Sequence, residues 1–215
     1  MKTFLKRILF FLILAVGAME PVAAQRVYMT GDSNVGSKLY PDLVEKEIRT
    51  KHPGIQFKYS FKNGMRFSHF KSSEEYYNRI VAFKPDILIL NLGTNDAYTE
   101  QFSVKKFQKD METFYSGLIK RLPNVKVVFV TPYPNILKLK TGEKVNKNNR
   151  VASDEILQFV KTHPNTYAVD VNETFGTTFI DSPKLNRDKI HLTVQGYNML
   201  GKEVGEGINR LAGLW

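Results

Sequence analysis

Two polar stretches near opposite ends of the chain contain the residue types that nucleophilic catalysis at a serine needs. The first is Gly31-Asp32-Ser33-Asn34, which follows the β-rich run Val27–Thr30 and precedes a helix-like segment. A glycine at this point tolerates backbone angles that other residues avoid, so a strand can stop there and expose a serine hydroxyl. A hydroxyl needs a general base, usually histidine, and often a carboxylate that orients the base. The second stretch supplies both, because Asp188 lies shortly before His191.

Each stretch also has a purely structural interpretation. Asp, Ser and Asn are ordinary turn and helix-cap residues, so Ser33 could simply cap the helix that follows it. The spacing of Asp188 and His191 could be accidental. Among the other histidines, His52 and His163 each precede a proline where a helix stops, and we predict that both are structural.

An oxyanion formed at an ester carbonyl requires fixed hydrogen-bond donors. The candidates are the backbone N–H groups of Ser33 and Gly64 and the side-chain amide of Asn95, each just past a predicted strand. Three further residues are candidates for substrate contact: Asn34, His69 and Tyr133. His69 lies in the loop after Gly64. Tyr133 opens an irregular, basic segment, Tyr133–Asn149, which is long for a connector and is predicted to be a substrate-facing loop that sets specificity.

Strand-like and helix-like segments alternate along the chain. The predicted strands are Val27–Thr30, Ile55–Phe61, Ile87–Leu92, Val125–Val130 and Tyr167–Val171. The predicted helices are Lys38–Lys51, Tyr76–Phe83 with its start at Ser72–Glu75, Ser103–Leu122, Arg150–Thr162, and a last helix from Thr193 or Val194 to Leu211. This order indicates an α/β fold with a mostly parallel sheet covered on both faces. Ligands of such sheets bind beyond the carboxyl ends of the strands, where the candidate residues are expected to meet.

The N-terminus has the pattern of a secretory signal peptide. A basic start is followed by the apolar run Ile8–Met19 and by the small residues Val22-Ala23-Ala24. We expect residues 1–24 to be a signal peptide cleaved near Ala24, and residues 25–215 to form one domain of a secreted or periplasmic protein. The apolar run is too short to favour a membrane span, although an uncleaved anchor is the alternative. We expect no stable membrane insertion of the mature protein.

Composition limits the remaining classes. The chain has 215 residues and a formal net charge of +10. It contains no cysteine, and this excludes disulfides, thiolate metal sites and a cysteine nucleophile. The charge favours acidic surroundings, such as an acidic glycan or cell wall. The basic residues are scattered, so we do not expect nucleic acid to be a partner.

Four stretches, in this order, resemble the SGNH, or GDSL, hydrolase family: Gly31-Asp32-Ser33-Asn34, Gly64, Gly93-Thr94-Asn95-Asp96 and Asp188-Lys189-Ile190-His191. The resemblance spans Val27 to Leu211. The chain departs from the family pattern at Asn34, where Leu is frequent, and around Gly64, where Lys62 and Phe67 stand in place of a frequent Asn and Gly. The other common serine-hydrolase signature, Gly-x-Ser-x-Gly, is missing because position 35 is Val, which argues against the standard α/β-hydrolase fold.

The resemblance implies a flavodoxin-like, three-layer α/β/α fold with a mostly parallel five-stranded sheet. It implies Ser33 as nucleophile, Asp188 and His191 as its triad partners, and Ser33, Gly64 and Asn95 as oxyanion donors. It implies neither a metal ion nor an organic cofactor.

The predicted function is that of a secreted serine esterase that forms an acyl-serine intermediate. The substrate is a small-molecule or glycan ester, and O-deacetylation of carbohydrate is the preferred reaction. A lipolytic esterase or lysophospholipase is the alternative within enzymes. A non-catalytic glycan-binding protein on a hydrolase fold is the alternative from another class.

Overall fold

The computed structural model describes residues 24–136, 145–176, 178–182, 185 and 187–215. The predicted signal peptide therefore lies outside the described residues, except for Ala24. The middle of the predicted Tyr133–Asn149 loop, residues 137–144, lies outside them as well.

Within the described residues, five strands form one parallel sheet in the order β2-β1-β3-β4-β5. The strands are β1 Arg26–Gly31, β2 Gln56–Phe61, β3 Ile87–Asn91, β4 Lys126–Val130 and β5 Thr166–Val169. All five residues of β3 are buried, which explains the continuous apolar run of this central strand. The predicted α/β fold with five parallel strands is confirmed.

Helices occupy the connections between the strands. They are α1 Leu39–Arg49, α2 Ser68–Ser72, α3 Glu74–Phe83, α4 Thr94–Ala97, α5 Val104–Arg121, α6 Val145–Thr162, α7 Val171–Phe175, α8 Thr178–Asp181 and α9 Val194–Arg210. The sequence patterns identified the five long helices and missed α2, α4, α7 and α8. A helix of four or five residues is too short to display helical periodicity.

Two hydrophobic cores cover the two faces of the sheet. Helices α1 and α9 pack on one face, where Val44, Val204 and Ile208 are fully buried. Helices α3, α5 and α6 pack on the other face, around Phe114 and Ile156. These layers give the three-layer architecture, and they leave the carboxyl ends of the strands as the free rim.

Most boundaries differ from the predictions by one or two residues, and two of the differences concern segments near the candidate site. The fifth strand ends at Val169 rather than Val171, because the Asp170 carboxylate accepts hydrogen bonds from the backbone N–H groups of Asn172 and Glu173, both at 3.1 Å, and so starts α7. Helix α6 begins at Val145 rather than Arg150.

The early start of α6 removes five residues from the predicted loop Tyr133–Asn149. Two asparagines of its first turns bind the segment before it. Asn146 Oδ1 accepts from the Asn135 N–H at 2.7 Å, and Asn149 Nδ2 donates to the Tyr133 carbonyl at 3.1 Å. Tyr133 and Asn135 are fully buried, so the described beginning of this segment does not face a substrate.

The two histidines predicted to be structural pack against aromatic rings. His52 stacks on Trp215, with ring centroids 3.6 Å apart. His163 stacks on Phe159 at the same separation, and its Nε2 lies 2.9 Å from a Glu112 carboxylate oxygen. None of the helices within the described residues is both long and apolar enough to cross a membrane.

Candidate active site

Close packing of β1 against β3 positions the serine loop, which is the segment Gly31–Asn34. A Cβ atom on Gly31 would lie 2.5 Å from the Asn91 carbonyl oxygen of β3 and 2.7 Å from Val35 Cγ2. Gly31 is therefore needed for space rather than for the unusual backbone angles that the sequence analysis proposed. The chain then turns sharply at Asp32 and Ser33 before a single 3-10 turn, Val35–Ser37.

Ser33 does not cap the helix that follows it. Helix α1 starts only at Leu39, and the hydroxyl at its N-terminal end that accepts a backbone N–H is that of Ser37, from Tyr40 at 3.2 Å. The Ser33 side chain instead points to His191, with Oγ 2.8 Å from Nε2. The geometry therefore disfavours the purely structural interpretation of Ser33.

Asp188 orients the other side of the His191 ring. His191 Nδ1 lies 2.8 Å and 3.0 Å from the two carboxylate oxygens of Asp188. A proton on Nδ1 satisfies this contact and leaves Nε2 free to accept from the Ser33 hydroxyl. Burial by itself would raise the pKa of Asp188, but the backbone N–H of His191, at 2.8 Å, and the imidazole outweigh it and lower the pKa to about 2. Asp188 is thus ionised at neutral pH.

The segment that carries Asp188 and His191 is tied to its surroundings through its backbone. The Arg187 N–H donates to the His191 carbonyl at 2.8 Å, and the Ile136 N–H donates to the Lys189 carbonyl at 3.1 Å. Lys189 has a φ of 76°, a left-handed conformation that closes the turn between the two functional side chains. This turn brings an imidazole and a carboxylate three positions apart into one hydrogen-bonded unit.

Three groups are available as oxyanion donors. In the part of the chain that the structure describes, neither the Ser33 nor the Gly64 N–H has a protein acceptor. Gly64 has a φ of 68°, which favours glycine, and its loop runs beside the serine loop, where the Lys62 N–H donates to the Gly31 carbonyl at 3.1 Å. The side-chain amide of Asn95 donates one hydrogen to Asp32, and the other has no acceptor among the described residues.

Asp32 is a buried carboxylate that the sequence analysis left without a role. Only 1% of its surface is exposed. Its Oδ2 accepts from Asn95 Nδ2 at 2.8 Å, and its Oδ1 accepts from the Asn34 N–H at 2.9 Å and from Asn34 Nδ2 at 3.0 Å. Desolvation raises the pKa of Asp32 to about 6, although these donors oppose the shift. The carboxylate therefore joins the serine loop to the Asn95 loop.

Two tyrosine hydroxyls extend the hydrogen-bond network of Asp32 and Asn34. The Tyr133 hydroxyl lies 2.5 Å from Asn34 Oδ1 and 2.7 Å from the Ile190 carbonyl, and the Tyr197 hydroxyl donates to Asn34 Oδ1 at 3.1 Å. Burial raises the pKa of Tyr133 well above its ordinary value. The network links the serine loop to the segment that carries His191. No sequence pattern singled out Tyr197, because its hydroxyl is brought to Asn34 only by the packing of α9.

Of the three expected substrate-contact residues, two are buried and one, His69, is partly exposed. Asn34 and Tyr133 are fully buried, so they contact protein groups and support the site from beneath. His69 lies in α2, half-buried, and its Nδ1 accepts from the Arg66 N–H at 3.1 Å. Burial lowers the pKa of His69, and the charges of Lys62 and Arg66 add to this.

The arrangement is suited to acyl transfer. A serine hydroxyl, an imidazole and an ionised carboxylate form one hydrogen-bonded chain. The backbone N–H groups of Ser33 and Gly64 have no acceptor among the described residues. Within the described residues, no three or more His, Asp or Glu side chains are grouped to hold a metal ion.

The sequence matches a family of acylhydrolases and one curated relative. Residues 31–199 match the GDSL-like Lipase/Acylhydrolase family. The chain is 23% identical over 154 residues to an acetylxylan esterase of Xylanibacter ruminicola, an alignment that covers 63% of this chain and 31% of that protein. The chain thus spans less than a third of the length of this curated relative.

Solved structures share the fold at low identity. A catalytic mutant of an acetylxylan esterase from Geobacillus stearothermophilus superposes with a TM-score of 0.64 at 16% identity, covering 88% of this chain and 96% of that one. A peptidoglycan O-acetylesterase superposes with a TM-score of 0.69 at 10% identity, covering 91% of this chain and 93% of that one. From the extent of the sequence match, supported by the shared fold, we conclude that this chain belongs to the GDSL-like lipase/acylhydrolase family.

Proposed function

We propose that the protein is a serine esterase that removes acetyl groups from carbohydrate through an acyl intermediate on Ser33. The observation that carries the proposal is the continuous hydrogen-bonded chain from Asp188 through His191 to the Ser33 hydroxyl, with 2.8 Å at each link. Membership of an acylhydrolase family agrees with ester bonds as the target.

In the proposed reaction, His191 Nε2 takes the proton as Ser33 Oγ attacks the ester carbonyl. The oxyanion is held by the N–H groups of Ser33 and Gly64 and by the free amide hydrogen of Asn95. His191 then protonates the departing alcohol, which leaves an acyl-serine. A water molecule, deprotonated by His191, releases the acid and restores the hydroxyl.

The similarity to an acetylxylan esterase supports an acetylated carbohydrate as the substrate, and the net positive charge of the chain suits an acidic glycan or cell wall. We further propose that the protein acts outside the cytoplasm after cleavage near Ala24. N-terminal sequencing of the exported protein tests the cleavage: a mature chain that starts at Gln25 or within a few residues of it is expected, and an intact N-terminus would contradict export by cleavage.

One observation favours the lipolytic alternative. Phe61 and Val194 are large apolar side chains with 44% and 68% of their surface exposed. A Cβ atom on Gly36, in the turn after Ser33, would lie 2.6 Å from the Phe61 ring, and Val194 begins the helix that follows His191. Exposed apolar groups in these places could hold a longer acyl chain.

Hydrolysis of 4-nitrophenyl esters from acetate to decanoate, by the parent and by Ser33→Ala, tests the proposal. We expect acetate to be the best substrate and the variant to lose activity by a factor of 10³ or more. Ser116→Ala, an exposed serine on α5, is the matched control and is expected to retain full activity. Rates of hydrolysis that rise with the length of the acyl group would favour the lipolytic alternative. Retained activity in Ser33→Ala would refute the mechanism, and glycan binding without turnover in the parent would favour the non-catalytic alternative.

A further inference from the structure

Phe61 is the last residue of β2, an edge strand of the sheet, and 44% of its surface is exposed at the rim where the strands end. A single exposed apolar side chain is common on protein surfaces and indicates nothing by itself. The support of this ring and its place beside the serine loop are more informative. The residues that follow it, Lys62-Asn63-Gly64, are also exposed and lead directly to the proposed oxyanion donor Gly64.

One face of the Phe61 ring lies against the turn that follows Ser33. A Cβ atom on Gly36 would lie 2.6 Å from Cδ2, 2.7 Å from Cε2 and 3.1 Å from Cγ of the ring. These three atoms are consecutive in the ring, and such similar distances place Gly36 over the face rather than at the edge. Because position 36 has no side chain, the ring lies flat on the backbone of the turn. The exposed surface therefore belongs to the opposite face and to the edge of the ring.

Backbone contacts place Phe61 beside both ends of the segment that carries the nucleophile. Phe61 pairs with Gly31 across the sheet, and the N–H of Gly36 donates to the Asp32 carbonyl at 3.3 Å. Neighbouring strands lie about 4.8 Å apart and two residues span at most about 7 Å, so the Phe61 Cα lies within about 12 Å of the Ser33 Cα. One oligosaccharide can therefore reach both residues.

We propose that the exposed face of Phe61 stacks on a sugar ring of the substrate glycan, near the ring that carries the acyl group. The C–H groups of a sugar ring are polarised by the neighbouring oxygens, and the negative face of an aromatic ring attracts them. Stacking also removes exposed apolar surface from water. Phe61 is then a residue that selects esters of glycans over other esters. The inference rests on the proposed action on carbohydrate.

The polar residues around Phe61 favour a sugar ring over an acyl chain as its partner. The Lys62 ammonium lies 5.0 Å from the centroid of the Tyr76 ring in α3, and so it turns toward the other face of the sheet. Asn63, which is exposed, offers an amide to hydroxyl groups. An acyl chain is apolar on all sides and gains most from an enclosing apolar pocket, whereas a sugar ring has an apolar face and a polar edge.

Steady-state hydrolysis of two acetyl esters, followed by release of acid, tests the stacking. One substrate is acetylated xylotriose, and the other is ethyl acetate, whose alcohol contains no ring. We expect Phe61→Ala to lower kcat/KM for the trisaccharide at least tenfold, mainly through KM, because a stacked ring is bound in the ground state and the transition state alike. The rate with ethyl acetate should stay within a factor of three of the parent, which also shows that the variant folds.

Two further variants separate stacking from general apolar contact. Phe61→Tyr keeps the flat aromatic face and should act on the trisaccharide like the parent. Phe61→Leu keeps the apolar character without that face and should lose activity as Phe61→Ala does. Val104→Ala removes an exposed apolar side chain at the start of α5 and is the control, with parent-like rates on both substrates.

The outcomes distinguish failure of the stacking from failure of the proposed function. Parent-like hydrolysis of the trisaccharide by Phe61→Ala or by Phe61→Leu would overturn the stacking and leave the proposed function standing. A loss confined to 4-nitrophenyl decanoate and restored by Phe61→Leu would identify an acyl chain as the partner and would also overturn it. A parent that hydrolyses ethyl acetate but not the acetylated trisaccharide would contradict the proposed function, and the stacking with it.

Discussion

Replacement of Asp32 with Asn tests whether the buried carboxylate positions the Asn95 amide. An Asn at position 32 can keep its carbonyl toward Asn34, where the carboxylate now accepts two hydrogen bonds. Its NH₂ group then faces the NH₂ group of Asn95, where Asp32 Oδ2 accepted at 2.8 Å. Two donors cannot pair, so Asn95 must turn over or lose its partner. Either change displaces the hydrogen that the proposed mechanism directs at the oxyanion.

The effect on rate should exceed the effect on stability. Loss of one oxyanion donor costs about 10²–10³ in kcat. An unpaired buried donor costs about 1–3 kcal/mol of the free energy of unfolding. The raised pKa of Asp32 works in the opposite direction: the stability linked to its extra proton is present below about pH 4 and is lost as the pH rises to about 6. At pH 8 the neutral Asn avoids this cost of about 3 kcal/mol, so we expect a change in stability near zero.

Steady-state hydrolysis of 4-nitrophenyl acetate at pH 8, with urea unfolding of the same samples, measures both quantities. We expect kcat to fall about 10²–10³-fold in Asp32→Asn. Adding Asn95→Ala should reduce the rate little further, because both changes remove one donor. Asp86→Asn, in the loop before β3, is the control for loss of a carboxylate. The reasoning would be refuted if kcat stayed within a factor of three of the parent, or if the effects of the two substitutions multiplied.

Three further outcomes are expected. Asp188→Asn should reduce kcat by a factor of about 10²–10⁴ in the same ester assay. It should also remove the part of the stability that the parent loses as the pH falls from about 4 toward 2, which thermal unfolding at each pH measures. A parent-like acid profile would contradict this. Gly31→Ala should lower the free energy of unfolding in urea by about 1–3 kcal/mol, because its Cβ would lie 2.5 Å from the Asn91 carbonyl oxygen, and full stability would contradict the close approach. Tyr133→Phe should lower the free energy of unfolding in urea by about 1–2 kcal/mol, since Asn34 Oδ1 loses a buried donor. An unchanged unfolding midpoint would contradict a stabilising role for the Tyr133 hydroxyl.

The alternation of short apolar runs with amphipathic segments determined the fold class. The run Ile87–Leu92 predicted a central strand, and β3 is buried at every position because sheet neighbours and helices surround it. Local patterns failed where a side chain from elsewhere sets a boundary. The start of α6 depends on Asn146 and Asn149 binding the segment near Tyr133, and no periodicity records such contacts.

The residues of the candidate site were likewise predicted only in part from the sequence. Residue type and order identified Ser33, Asp188 and His191, because an acyl-transfer site requires a hydroxyl, a base and an orienting carboxylate. The sequence also marked Gly31, but the reason differs: the neighbouring strand, rather than the angles of the glycine, excludes a side chain there.

Only the tertiary structure decided the role of the polar residues around that site. Asn34 and Tyr133 carry hydrogen-bonding groups that could equally face a substrate or a buried partner, and burial follows from how distant segments pack. Asp32 reaches Asn95 across two neighbouring strands of the sheet, a contact between residues far apart in the chain. The sequence by itself thus determined which groups can react. The packing of helices and strands determined which of them meet, because hydrogen-bond geometry depends on distances that local residue patterns do not encode.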